Sequence, residues 1–202
     1  MRSAALDAAN TLTLLKTINV ASYKPANGAA YPNSSFGRSL RSAAALIKAD
    51  VGIEAVQVDI GGWDTHQAED PNAGSMFRTM TDFAQSLAAF WADVMSPGGA
   101  AANVTLVALS EFGRNVRENA STGTDHGRGG AMFVMGPGIA GGRVITQNWP
   151  GLARENQENG QDLKVTLDHR DVLAEIVAKR LGNTSLDVVF PSFTPTFRGV
   201  AK

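Results

Sequence analysis

The run "NVTLVAL", residues 103 to 109, constrains this chain more than any other stretch. It is almost continuously apolar and rich in β-branched residues, the composition of a strand covered on both faces. A chain containing such a strand must supply layers above and below it. The sequence offers them. Phe36, Leu40, Ala43, Ala44 and Ile47 recur at helical spacing in "FGRSLRSAAALIKAD". Met76, Met80, Phe83, Leu87, Phe90 and Val94 alternate steps of four and three, and "SPGG" follows them as a stop. "HRDVLAEIVAKRLG" reads as a further helix, with Asp168 as its N-cap and Gly182 closing it. A weaker helix is expected over residues 4 to 18. "SYKPANGAAYPNSS" reads as a loop, and the tail "LDVVFPSFTPTFRGVAK" as irregular.

Two other strands are expected, "GIEAVQVDI" and "GGAMFVM". Strands alternating with helices imply an α/β fold, a mostly parallel sheet with helices on both faces. No internal repeat is visible. With 202 residues, 44 % of them apolar, one domain with a real core is expected over residues 1–202. Eighteen basic against 19 acidic side chains give a net charge of −1, which argues against a nucleic-acid partner. No apolar run is long enough to span a membrane. Cysteine is absent, which excludes disulfides, thiolate metal sites and cysteine nucleophiles. The first fifteen residues lack the apolar core of a signal peptide, so any export signal would lie upstream of Met1.

In a sheet of this kind the reactive groups sit beyond the carboxyl ends of the strands, and the polar clusters of this chain fall there. "GGWDTH" follows the first strand. Asp64 and His66 in it can reach one divalent ion if the turn is tight, and Gly61 with Gly62 permits that. A polar turn with a structural histidine is the plainer reading of that motif alone. "SEFGRN" follows the buried run. It places Glu111 at the sheet edge, where an ion or Arg114 would compensate its charge. "GTDHGRGG" adds a second acid–histidine pair, Asp125 and His126, among four glycines. Two of the three histidines thus neighbour aspartates in glycine-rich loops, and coincidence becomes a poor explanation. The third, His169, opens a helix and is not counted as a ligand.

Arg114 and Arg128 flank the same region, and a guanidinium fork suits a phosphate or sulfate oxyanion, or else a structural ion pair. Asn115 and Asn119 are weaker candidates for a substrate hydrogen bond. The tripeptides at Asn103 and Asn183 match the glycosylation pattern by chance. Thr65 lies between the proposed ligands, and Ser110 precedes a strand-end acid. Neither has the placement expected of a nucleophile.

Taken in order and spacing, "GGWDTH", "SEFGRN" and "GTDHG" closely resemble the bacterial family known as domain of unknown function 1501, a relative of the alkaline phosphatase and sulfatase superfamily. The resemblance runs from "YPNSSFGRSLRSAAALIKA" through "GPGIAGGRV" to "DHRDVLAEIVAKRLG". It implies an alkaline-phosphatase-like parallel sheet carrying one or two divalent metals, zinc first, with manganese, magnesium or calcium as alternatives. It implies Asp64, His66, Glu111, Asp125 and His126 as the metal set, with Asp59 as a further acid of the early series. The superfamily places an Asp-His pair at the end of the intervening strand. Here Glu111 stands there without a histidine, which departs from a two-zinc pattern. Family members are about twice this length, so the chain is expected to be the C-terminal part of a longer protein, without the strand that carries the nucleophile. A periplasmic or secreted parent is implied, acting on a small-molecule or polysaccharide ester.

The resulting expectation is a metal-dependent hydrolase-like domain for phosphate or sulfate esters, incomplete without an upstream nucleophile. The alternative is a non-catalytic, metal-stabilised binding module. A plain α/β domain whose polar motifs are caps and ion pairs is the third reading.

Overall fold

The computed structural model describes Thr13, residues 18–96 and residues 103–202. The helix expected over residues 4 to 18 falls almost wholly outside the described residues. The chain divides into two compact units, one ending at Gly61 and resuming at Met80, the other comprising Gly62–Thr79 and the stretch that runs to Lys202.

The first unit is built on α1 (Ser35–Lys48) and most of α2 (Ser75–Phe90). Helix α1 starts at Ser34, whose hydroxyl accepts the Gly37 N–H at 2.9 Å and donates to Asp82 at 2.7 Å. The expected apolar face is the buried one: Phe36, Leu40, Ala43 and Ala44 are in the core. From α2 come Phe83, Ala89 and Phe90, and the Phe36 and Phe83 rings stack with centroids 6.1 Å apart. The last turn loosens at Trp91–Met95 into a π-type turn, in which Ser96 N–H reaches back five residues to Trp91 O. This turn holds Asp93 completely buried. Its carboxylate accepts from Tyr23 Oη (2.7 Å), Tyr31 Oη (2.8 Å), Ala26 N (2.7 Å) and Lys48 Nζ (2.5 Å). Burial alone would raise the Asp93 pKa. The Lys48 ammonium, the Ala26 amide and the two phenols outweigh burial and hold it below the usual carboxylate value.

The second unit contains β1 (Leu106–Ala108), β2 (Gly113–Arg114), β3 (His126–Gly127), β4 (Phe133–Met135), α3 (His169–Arg180) and the single turn α4 (Leu186–Val189). Its core gathers Ile139, Val172, Ile176, Val200 and Ala201, against which Val107, Met132, Val134 and Ile145 pack. Helix α3 is capped as its sequence indicates. Asp168 accepts the Arg170 N–H, and Gly182, just beyond the last turn, takes φ +67°. The tail, expected to be irregular, contains the turn α4 and a bridge from Ala201 to Ile139, and beyond these it has no regular element but is not loose. Glu175, fully buried on α3, accepts from Lys179 Nζ, Arg198 N and Ala201 N, and Asp171 accepts from Thr196 N and the Arg198 guanidinium. Two acids on one helix face thus fasten the last residues of the chain.

The expected parallel sheet is not what forms. Among the described residues the strands make two small antiparallel pairs, β1 with β4 and β2 with β3. The reason lies in the connection between β1 and β4. Residues 109–132 contain no helix to serve as a crossover; they fold into the β2–β3 pair, and the chain doubles back so that β4 meets β1 antiparallel. The strand expected at "GIEAVQVDI" is likewise absent. Residues 52–60 have no ladder partner among the described residues, and Ile53 and Val56 remain exposed. Strand-like composition gives a strand only where a neighbour supplies the second half of each hydrogen bond. The architecture is therefore mixed helix and strand. No described helix is long and apolar enough to cross a membrane.

Candidate metal centre

The centre is assembled by lacing the loop at residues 63–69 onto the loop at residues 119–125. Thr124 N–H donates to Thr65 O (3.2 Å), Ala68 N–H to Ser121 O (3.0 Å) and Glu69 N–H to Thr122 O (2.8 Å). Asn119 Nδ2 donates to His66 O at 3.0 Å. The Arg114 guanidinium spans the two loops by donating to the carbonyls of Trp63 and Thr124. The loops meet so closely at Gly123 that a Cβ there would lie 2.3 Å from His66 C and 2.5 Å from His66 O and Thr65 O. Only glycine fits this contact. Gly123→Ala is therefore expected to push the segment 65–66 outward. Hydrogen exchange should show lost protection at the Thr124 amide, and zinc affinity measured by calorimetry should fall together with it.

This lacing brings the two acid–histidine pairs together. Asp64, His66 and His126 each offer one ligand atom, and these atoms lie within 4.8 Å of one another. Asp64 Oδ1 is 2.7 Å from His126 Nε2 and 3.0 Å from His66 Nε2. All three side chains reach solvent, with Asp64 64 % exposed, so an ion here would keep open positions. The hydrogen bond from His126, with the Arg114 guanidinium nearby, holds Asp64 below the usual carboxylate range. His126 faces Arg114 across the β2–β3 pair. Its ring is stacked on Phe112 at 4.0 Å, and Arg114 lies over the other partner of that stack, 4.8 Å from the Phe112 centroid. A cavity of about 430 Å³ opens beside the group, lined by Gly62, Asp64, Thr65, His66, Gln67 and Ser75.

The other sequence candidates stand differently. Asp125 Oδ1 lies 2.9 Å from His66 Nδ1, on the flank of the ring away from Asp64, and accepts from Asn119 Nδ2 at 2.9 Å. Both contacts lower its pKa, the His66 contact most. Glu111 is exposed, makes no hydrogen bond or ion pair among the described residues, and is not part of the three-ligand group. Glu111→Ala is accordingly expected to leave zinc affinity unchanged in a calorimetric titration. Arg114 is committed to the loop carbonyls, and Arg128 pairs with Glu158 at 2.6 Å. Asp59 belongs to the first unit and accepts from Gln57. His169 sits beside its own N-cap Asp168. Thr65 is buried, and the Ser110 hydroxyl donates to Phe112 O.

Phe112 and Asn119 are the residues whose part in this region was least evident in the sequence. Phe112 carried a signal only as an aromatic flanked by the acid and the glycine of "SEFGRN". Asn119, in the sequence a weak candidate for a substrate hydrogen bond, donates instead to His66 O and Asp125 Oδ1.

The donor set, two imidazole nitrogens and a carboxylate oxygen, suits zinc and other borderline divalent ions. A tetrahedral ion spaces its ligand atoms by roughly 3.3 Å. The observed 2.7 and 3.0 Å separations need a small widening, and the His66–His126 edge, which lies within 4.8 Å, is set by two solvent-reaching rings that can close on an ion, so the residues fit a divalent metal.

Comparison with known families agrees with the motifs. Residues 8–184 match the model of a family described as protein of unknown function, DUF1501, and the chain belongs to that family. No solved structure and no protein of curated function matches it.

Proposed function

We propose that this chain carries the divalent-metal centre of a hydrolase for phosphate or sulfate esters, related to the alkaline phosphatase and sulfatase superfamily. The observation that carries the reading is the convergence of Asp64 and His66, from one loop, with His126, at the start of strand β3 and 60 residues beyond His66, all three side chains reaching solvent. A bound divalent ion supplies a Lewis acid for an ester oxygen or a water. The protein's own residues hold and orient: Arg114 fixes the two loops, Phe112 supports the His126 ring, and the adjoining cavity gives a ligand room to approach.

A second reading, a metal-stabilised binding module without turnover, draws on separate observations. Both candidate oxyanion clamps are already engaged, Arg114 by carbonyls and Arg128 by Glu158. The Thr65 hydroxyl is buried, and Ser110 is spent on its own turn. Covalent catalysis needs a nucleophile beside the metal.

The test is to load the purified chain with zinc, manganese or magnesium, measure bound metal by mass spectrometry, and assay aryl phosphate and aryl sulfate esters. One equivalent of metal with weak turnover is expected. Absence of metal uptake would overturn both readings. Vigorous turnover lost in His126→Ala would discard the binding-module reading and show that water or a residue of this chain is the nucleophile.

A further inference from the structure

We propose that Asp125 is a positioning residue for the metal centre, holding the Nδ1–H of His66 so that Nε2 presents its lone pair to the ion. The inference rests on the metal reading above and assigns Asp125 a role other than ligand. Its warrant is a chain of contacts. Asp125 Oδ1 is 2.9 Å from His66 Nδ1, while His66 Nε2 faces Asp64 Oδ1 at 3.0 Å. The two ring nitrogens point to different carboxylates. An ionised carboxylate can only accept hydrogen bonds. Of these two contacts only the one between Nδ1 and Asp125 has hydrogen-bond geometry, so in the neutral ring the proton belongs on Nδ1 and Nε2 is left bare. A carboxylate behind a ligating histidine fixes tautomer and ring orientation and raises the basicity of the ligand nitrogen.

The acid is itself held in place. Asn119 Nδ2 donates to Asp125 Oδ1 at 2.9 Å and to His66 O at 3.0 Å, and Asn119 Oδ1 accepts from Ser121 N and Gly123 N at 2.9 and 3.2 Å. Both donors and both lone pairs of the amide are used. Asn119 thus ties the orienting acid to the backbone of the histidine it orients. Asp125 lies outside the group of atoms that converge within 4.8 Å, as an outer partner should.

Three histidines make the test tractable by ¹⁵N–¹H long-range NMR of the full chain, with zinc titration on the same samples. Above the histidine titration range, wild-type His66 is expected in the Nδ1–H tautomer. In Asp125→Ala it should shift towards Nε2–H, and zinc affinity should fall about 10- to 100-fold. Asp125→Asn retains an acceptor oxygen and is expected to keep the tautomer and recover most of the affinity, which loss of folding in the alanine variant would not mimic. An Nε2–H tautomer in the wild type, or unchanged zinc affinity in Asp125→Ala, overturns the positioning role and leaves the metal reading standing. A wild-type chain that takes up no zinc overturns both.

Discussion

Asp64→Ala is expected to abolish stoichiometric zinc uptake while leaving the unfolding midpoint in urea unchanged. Asp64 is the only carboxylate among the three converging donors, and its Oδ1 faces both histidine nitrogens, at 2.7 and 3.0 Å. Its loss removes the anionic donor and leaves two imidazoles, too few for a stable divalent site. The loss of affinity should exceed the roughly 10- to 100-fold typical of an outer partner, so Asp64→Ala should be more severe than Asp125→Ala. The side chain is 64 % exposed and its removal creates no cavity, which is why stability should not follow affinity. Calorimetric zinc titration beside a urea curve on one sample checks both halves. Zinc binding at wild-type strength in this variant would show that the three side chains meet for a structural reason only.

Asp93→Ala is expected to cost about 3–5 kcal/mol, the range for removing one partner of a buried ion pair. Tyr23, Tyr31, Ala26 and Lys48 all donate to this fully buried carboxylate, and all four lose their acceptor when it goes. Equilibrium unfolding in urea should show the shift in midpoint. The same group predicts a pH dependence. Its folded pKa is depressed, because the donors outweigh the burial that opposes them. Its stabilisation is therefore full above the unfolded value of about 3.9 and is lost as the pH falls through the lower folded value. Wild-type midpoints should drop on acidification below pH ~4, and Asp93→Ala should lack that part of the drop. An acid limb identical in the two proteins would place the titrating group elsewhere.

Much of the helical structure was legible in the sequence because a helix is a local object. The face Phe36, Leu40, Ala43 and Ala44 and the Asp168 and Gly182 ends of α3 follow from spacing and from capping chemistry within a few residues. The pairing of "DTH" with "TDHG" was legible in kind, since two acid–histidine pairs beside glycines suggest one centre. Residue roles within it were not. Asp125 and His126 are adjacent in sequence, yet one faces the Nδ1 flank of His66 and the other faces Asp64. That division depends on how two loops lie against each other at Gly123, which no spacing rule encodes.

The sequence by itself determined the buried face of α1, the two ends of α3, which residues are chemically able to hold an ion, and the family to which the chain belongs. Only the tertiary structure decided strand partnership and the employment of charge. The segment 52–60 has the composition of a strand but no partner among the described residues, and β1 meets β4 antiparallel because no helix carries the chain across. Arg114, able on paper to clamp an oxyanion, is drawn into the carbonyls of Trp63 and Thr124, and Glu111, able to ligate, is exposed with no partner among the described residues. A strand's hydrogen bonds and a side chain's charge are satisfied by whatever lies nearest in space, and for these residues the nearest groups are distant in sequence.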